Sequence, residues 1–184
     1  MYITYRHIQE VADRYGYPPV IQMAAPVDER EFDFIRSTQS FGRSHDITMF
    51  IFKGEKVLVI AKHHYPPGLF RPPSGAANPG ETLIEGALRE AYEETGCKIE
   101  LLRYILQVNA LFRDGRREIP WRSHIFTARY LSGEPRPIDT REIREVSLAS
   151  IDDFARYKEI IRTQTSSGGL NYRARLHDEV LRLL

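Results

Sequence analysis

The stretch that decides the fold runs from Gly75 to Cys97, GAANPGETLIEGALREAYEETGC. Thr82 and Glu85 form a T-x-x-E capping pair, which predicts a helix starting there. Gly96 supplies the stop. At helical spacing Leu83, Ile84, Ala87, Leu88 and Ala91 make one apolar arc. Glu90, Glu93 and Glu94 cluster on its flank, at i, i+3 and i+4. Like charges at that spacing cost about 0.2–0.5 kcal/mol on a bare helix. A hard divalent cation reverses the sign, because Mg²⁺ and Mn²⁺ prefer oxygen ligands. A solvated acidic face is the plain alternative.

Outward from this helix the periodicity changes. On its N-terminal side, Ile47–Lys53 and Lys56–Lys62 are β-rich runs around Gly54-Glu55 and predict a hairpin. The Pro- and Gly-rich stretch His63–Gly80 predicts loop. On the other side, Leu101–Phe112 and Trp121–Tyr130 read as strands joined through Asp114-Gly115, and Val146–Leu148 as a short strand. Ile151–Arg162 and Asn171–Leu184 read as helices separated by Ser166–Gly169. Strands on both sides of a central helix, followed by helices, predict a mixed α/β or α+β layered fold over residues 46–184. Residues 1–45 form an extension. It holds an amphipathic helix at Thr4–Tyr15, a short strand at Val20–Ala24, and a capping box from Asp28 and Glu31. Arg36–His45 reads as a linker.

Composition narrows the function classes. The chain has 184 residues, 42% hydrophobic and 28% charged, enough for one self-sufficient core. The single Cys97 forbids an intrachain disulfide, and it is expected to be buried rather than nucleophilic. No apolar run is long enough to span a membrane, and the N-terminus has no signal-peptide core, so a cytoplasmic protein is expected. Lys plus Arg total 26 against 25 Asp plus Glu, which argues against a nucleic-acid polymer as partner. It does not argue against a small polyphosphate.

The spacing Gly75, Glu81, Arg89-Glu90, Glu93-Glu94, Gly96 resembles the Nudix box, and the sequence is similar to Nudix hydrolases over about residues 47–155. The resemblance implies a Nudix-like α/β/α sandwich with a mixed sheet. It also implies hydrolysis of a diphosphate linkage in a nucleoside diphosphate attached to another group, such as ADP-ribose or a nucleotide sugar. Glu93 and Glu94 match metal-binding glutamates, Glu90 a metal ligand or base, Arg89 the arginine that orients a box glutamate, and Glu81 its partner. The carbonyl of Ser74 matches a backbone ligand to Mg²⁺ or Mn²⁺, and Glu142 is our choice for a remote catalytic glutamate. Ala91 and Cys97 are smaller than the family's usual aliphatics, Ser74 replaces a glycine, and Asn78 stands where a glutamate is common.

The substrate is less legible. Downstream markers of NADH, dinucleoside polyphosphate, coenzyme A and many ADP-ribose hydrolases are missing. Arg71, Arg113, Arg116 and Arg122 are candidate phosphate contacts, and Phe112 and Trp121 candidate stacking rings. A basic exposed hairpin carrying a buried aromatic is the plain alternative there. The His63-His64 pair lacks the further ligands zinc needs and fits better near a phosphate. In some relatives N-terminal strands exchange between subunits, so Val20–Ala24 makes a homodimer a candidate. Two other functions stay open: a nucleoside triphosphate pyrophosphatase, and a catalytically silent nucleotide-sensing module. Retention of Glu81, Glu90, Glu93 and Glu94 weighs against the silent module.

Overall fold

A computed structural model describes residues 3–184. Helix α1 (Tyr5–Tyr15), strand β1 (Val20–Pro26) and helix α2 (Glu29–Ser37) come first. Strands β2 (His45–Lys53), β3 (Lys56–Lys62) and the two-residue β4 (Ser74–Gly75) follow, then helix α3 (Leu83–Thr95). Strands β5 (Lys98–Asp114), β6 (Arg117–Ser132) and β7 (Ile143–Ala149) precede helices α4 (Asp153–Gln164) and α5 (Gly168–Leu181).

The strands form one mixed sheet in the order β1-β5-β6-β2-β3-β7, with β4 also paired to β2. Alternation along the strands gives the sheet two apolar faces. Ile47, Met49 and Ile51 of β2 pack with Leu58, Phe126 and Ala128 beneath α1 and α3. Phe50 packs with Val57, Val59 and Ile125 beneath α2, α4 and α5. These are the three layers of an α/β/α sandwich.

The N-terminal segment is built into this sandwich rather than tethered to it. β1 runs parallel to β5 over Val20–Pro26 and forms a sheet edge. Ile8, Val11 and Ala12 of α1 join the α3 side of the core, and Phe32 of α2 joins the other. The expected linker contains the end of α2 and a single 3-10 turn, and β2 begins at His45.

Asp28 caps α2 by accepting from the Glu31 N–H at 2.8 Å, but Glu31 does not return the bond to make a capping box. Its carboxylate accepts instead from Gly168 N–H at 2.8 Å, Gly169 N–H at 3.2 Å and the Ser167 hydroxyl. Three donors at the N-terminus of α5 outnumber the single Asp28 N–H that a capping box would supply.

Candidate active site

Thr82 and Glu85 form the reciprocal capping box, with Glu85 N–H to Thr82 Oγ1 at 3.1 Å and Thr82 N–H to Glu85 Oε2 at 2.8 Å. Gly96 ends α3 in the left-handed region at φ 70°. Added bonds at this end run from Ile138 N–H and Asp139 N–H to the Glu93 carbonyl, at 3.0 and 2.9 Å. They tie the loop that leads to Glu142 onto the last turn of the acidic helix.

The other wall is β4. Gly75 pairs with Ile47, and Ser74 with Thr48. A Cβ on Gly75 would lie 1.9 Å from Glu90 Cδ, so the carboxylate of Glu90 fills the space of the absent side chain. Ala76 N–H donates to Glu90 Oε1 at 3.2 Å. A Cβ on Gly86 would lie 2.6 Å from Ala77 Cα, which shows how closely the loop after β4 approaches the start of α3.

Arg89 organises the carboxylates. Its Nε and Nη2 donate to the two oxygens of Glu81 at 2.8 and 2.9 Å. Its Nη1 donates to Glu90 at 3.0 Å and Glu93 at 2.9 Å, and Nη2 also reaches the Ala76 carbonyl at 2.7 Å. Asn78 N–H donates to Glu81 at 2.7 Å. The Arg89 hydrogen bonds, aided by Asn78, hold the Glu81 carboxyl below its ordinary range.

Glu94 points inward and is 3% exposed. It accepts from Ser74 N–H at 2.7 Å and Arg71 Nη2 at 3.2 Å. Burial pushes its carboxyl up, against the pull of Arg71 and Lys62. Arg71, a candidate phosphate contact, is buried. Its buried guanidinium also donates to the Tyr65 hydroxyl at 2.9 Å, the Pro72 carbonyl at 2.8 Å and Ser74 Oγ at 2.8 Å. A buried cation is held by the acceptors around it, and here they lie inside the loop. Glu142 is half exposed and paired with Lys62, and its charge is felt at Arg71, so it lies on the Glu94 side of the site. His63 Nε2 is 2.9 Å from the Thr140 carbonyl beside it.

The remaining candidates separate. Phe112 and Trp121 are buried in the core on the opposite face from α3, where strand alternation puts them, and they do not stack at the carboxylates. Trp121 Nε1 donates to Asp46 at 2.9 Å, and Phe112 packs edge-on against Tyr172. Arg113 pairs with Glu118 at 2.8 Å, and Arg116 is exposed in the hairpin turn. Arg122 shares the α3 face, in register with His45. Cys97 is buried, and burial raises its thiol pKa.

Two groups beneath the site carry no sequence motif. Asp46 is buried and paired with Arg173 at 2.6 Å, with Ser123 and Trp121 also donating to it. His177 lies between Phe50 and Phe154, and burial holds it neutral with a pKa near 3. The spacing of Arg173 and His177 on one face of α5 was a readable signal, but their partners lie far away in the chain.

The donor set suits a hard cation, since Glu90, Glu93, Glu94 and the Ser74 carbonyl offer only oxygen. No three His, Cys, Asp or Glu side chains among the described residues converge as a ready metal cluster. Arg89 explains this, because its Nη1 lies between Glu90 and Glu93.

The NUDIX domain family matches residues 42–165, and the chain belongs to that family of hydrolases. Among solved structures, a NUDIX hydrolase from Nitrosomonas europaea aligns with a TM-score of 0.52 at 20% identity, covering 74% of this chain and 88% of that one. A MutT NUDIX hydrolase from Burkholderia pseudomallei aligns with a TM-score of 0.50 at 20% identity, covering 72% and 95%. Both support the fold. The NAD-capped RNA hydrolase NudC of Chromobacterium violaceum is 40% identical over 52 residues, which is 28% of this chain and 20% of that relative. The chain thus matches only about a fifth of that relative's length. No helix among the described residues is long and apolar enough to cross a membrane.

Proposed function

We propose that the protein hydrolyses the diphosphate linkage of a nucleoside diphosphate joined to another group, with Mg²⁺ or Mn²⁺ held by Glu90, Glu93, Glu94 and the Ser74 carbonyl. The observation that carries this is the Glu90 carboxylate seated in the side-chain space of Gly75. Strand and helix meet there around a carboxylate, where packing alone would favour an apolar group. The bound cation supplies charge neutralisation to the diphosphate and acidity to the attacking water.

The chain's own residues position and move protons. Arg89 fixes the carboxylates of Glu81, Glu90 and Glu93. Arg71 and the Ser74 N–H fix both oxygens of Glu94. Glu142, half exposed and steadied by Lys62, is assigned as the acceptor of the water proton. Arg122 is assigned to the substrate, on the α3 face.

The test is product analysis with Mg²⁺ and with Mn²⁺ across ADP-ribose, nucleotide sugars, NADH, dinucleoside polyphosphates and dNTPs. Cation-dependent release of a nucleoside monophosphate and the phosphorylated second group, lost in Glu94→Gln, is expected. Release of inorganic pyrophosphate from dNTPs alone overturns the substrate class. Wild-type turnover in Glu94→Gln overturns the site.

A further inference from the structure

Glu142 stands at the end of a loop that is held by other residues. The Ile138 and Asp139 N–H groups fasten the loop to the Glu93 carbonyl, and His63 Nε2 lies 2.9 Å from the Thr140 carbonyl. β7 then begins at Ile143, whose register partner on β3 is Lys62. The register shifts there. Ala61 pairs with Glu145 and Lys62 with Ile143, so β7 carries the extra residue, Arg144. Such bulges re-aim side chains and are common beside active sites. Because the extra residue is on β7, the alternation of β3 runs unbroken. Lys62 therefore falls on the face of Leu58, which packs beneath α3.

This places Lys62 between two carboxylates. Its ammonium donates to Glu142, and its charge also acts on Glu94, one of the proposed cation ligands. The Lys62 side chain is 20% exposed and that of Glu142 53%, so the pair lies at the boundary of site and solvent, where a charged ligand can reach it. An ammonium carries three donors on a flexible stem. Its pairing with a partly exposed carboxylate is weak. A diphosphate offers more negative charge and more acceptor oxygens than that carboxylate does. A carboxylate covered by an ammonium is also a poorer proton acceptor, because the opposite charge favours its ionised form.

We propose that Lys62 is a substrate contact that covers Glu142 in the free enzyme and moves to the diphosphate when substrate arrives, so that the proton acceptor is uncovered only in the loaded site. The water oxygen then bonds to phosphorus, the bridging P–O bond breaks, and the water proton passes to Glu142. Until then Lys62 keeps Glu142 ionised. The inference rests on the box as the hydrolytic site and on Glu142 as its proton acceptor.

The test is a binding cycle with methylenediphosphonate, whose carbon bridge resists hydrolysis. Calorimetry in Mg²⁺ compares wild type, Lys62→Met, Glu142→Gln and the double variant, and thermal melts confirm that each is folded. Lys62→Met should weaken binding about tenfold, the scale of one charge-assisted hydrogen bond. Glu142→Gln should tighten it about two- to fivefold, the scale of a partly exposed ion pair. In the Lys62→Met background that gain should vanish, because no ammonium remains to be freed. A gain of equal size in both backgrounds overturns the proposal, since Glu142 would then only repel the anion. Equal binding to wild type and Lys62→Met, or binding to neither, also overturns it. In turnover the Lys62→Met loss should appear in KM, with kcat within about threefold of wild type. A fall in kcat at unchanged KM counts against the exchange, since Lys62 would then only be steadying Glu142. Cation-dependent hydrolysis without the binding pattern overturns the exchange and leaves the reaction standing. The binding pattern without hydrolysis overturns the proposed reaction and leaves the exchange standing.

Discussion

Gly75→Ala separates activity from stability at the point where β4 meets α3. The new Cβ would stand 1.9 Å from Glu90 Cδ and 2.1 and 2.3 Å from its oxygens. What it strikes is the end of a flexible side chain, and Gly75 does not occupy the left-handed region, so the backbone can stay in place. Glu90 must swing away, forfeiting Ala76 N–H at 3.2 Å and Arg89 Nη1 at 3.0 Å. A hydrogen bond to a charged group is worth about 1.5–3 kcal/mol. The displaced carboxylate regains water, so about 1–2 kcal/mol in total is expected. Replacing glycine by alanine returns about 0.4–1 kcal/mol through the unfolded chain. The net cost is about 1 kcal/mol, or a fall in Tm of about 2–4 °C at this length. Misplacing a catalytic carboxylate by an ångström or more should cost about a hundredfold in kcat. Differential scanning calorimetry and steady-state turnover read the two effects separately. Gly86→Ala is the contrast: its Cβ meets the Ala77 backbone at 2.6 Å and should lower stability by about 1–3 kcal/mol. Wild-type kcat in folded Gly75→Ala, or a melting loss as large as that of Gly86→Ala, would refute the reasoning.

Arg71→Met leaves Glu94 buried without its guanidinium and should cost about 3–5 kcal/mol in urea denaturation. Because burial lifts the Glu94 carboxyl above its unfolded value, the folded state holds a proton the unfolded chain releases, so the variant's Tm should fall as pH rises above the ordinary carboxyl range; a flat profile counts against it. For Asp46, burial works to raise the carboxyl, but Arg173, Ser123 and Trp121 hold it below its ordinary value. Its stabilisation is therefore present at neutral pH and lost as pH falls through the lowered value, so Asp46→Asn should lower Tm at pH 7 and flatten the acid limb of a melting series. Glu93 is about half-buried and paired only with Arg89, so Glu93→Gln should change stability by about 0.5 kcal/mol or less while abolishing Mg²⁺-dependent turnover; retained turnover would remove it from the metal site.

The box helix was legible because its signals are local. A capping pair, a stop glycine and three glutamates at helical spacing lie within one short segment, and the structure forms the capping box and cap where they predict. The strands were legible in kind but short in extent: Leu101–Phe112 grew to Lys98–Asp114 because the β5–β6 hairpin pairs down to its turn. What was illegible depends on partners distant in sequence. Arg71 looked like a phosphate ligand because nothing nearby in the chain reveals that Tyr65, Ser74 and Glu94 close around it. Phe112 and Trp121 looked available because alternation assigns a strand two faces without saying which one the site shares. The Lys62–Glu142 pair could not be read at all before the register of β3 against β7 was known.

The same distinction accounts for Arg89. Glu81, Glu90 and Glu93, gathered around Arg89, repel each other before any cation arrives. The planar guanidinium of Arg89 meets all three, with a two-point contact on Glu81 and one Nη1 shared by Glu90 and Glu93. A lysine ammonium is a point charge and lacks the rigid fork needed to hold Glu81 side-on while reaching the other two. The group as folded carries three negative charges against one positive, a deficit a single divalent cation would cancel. Glu94 stands outside this exchange, matched one-to-one by Arg71. Arg89 thus lets the acidic cluster fold without metal while leaving it short of positive charge by the amount the proposed cation brings, and it does so through the Nη1 contacts to Glu90 and Glu93 that cation would have to contest.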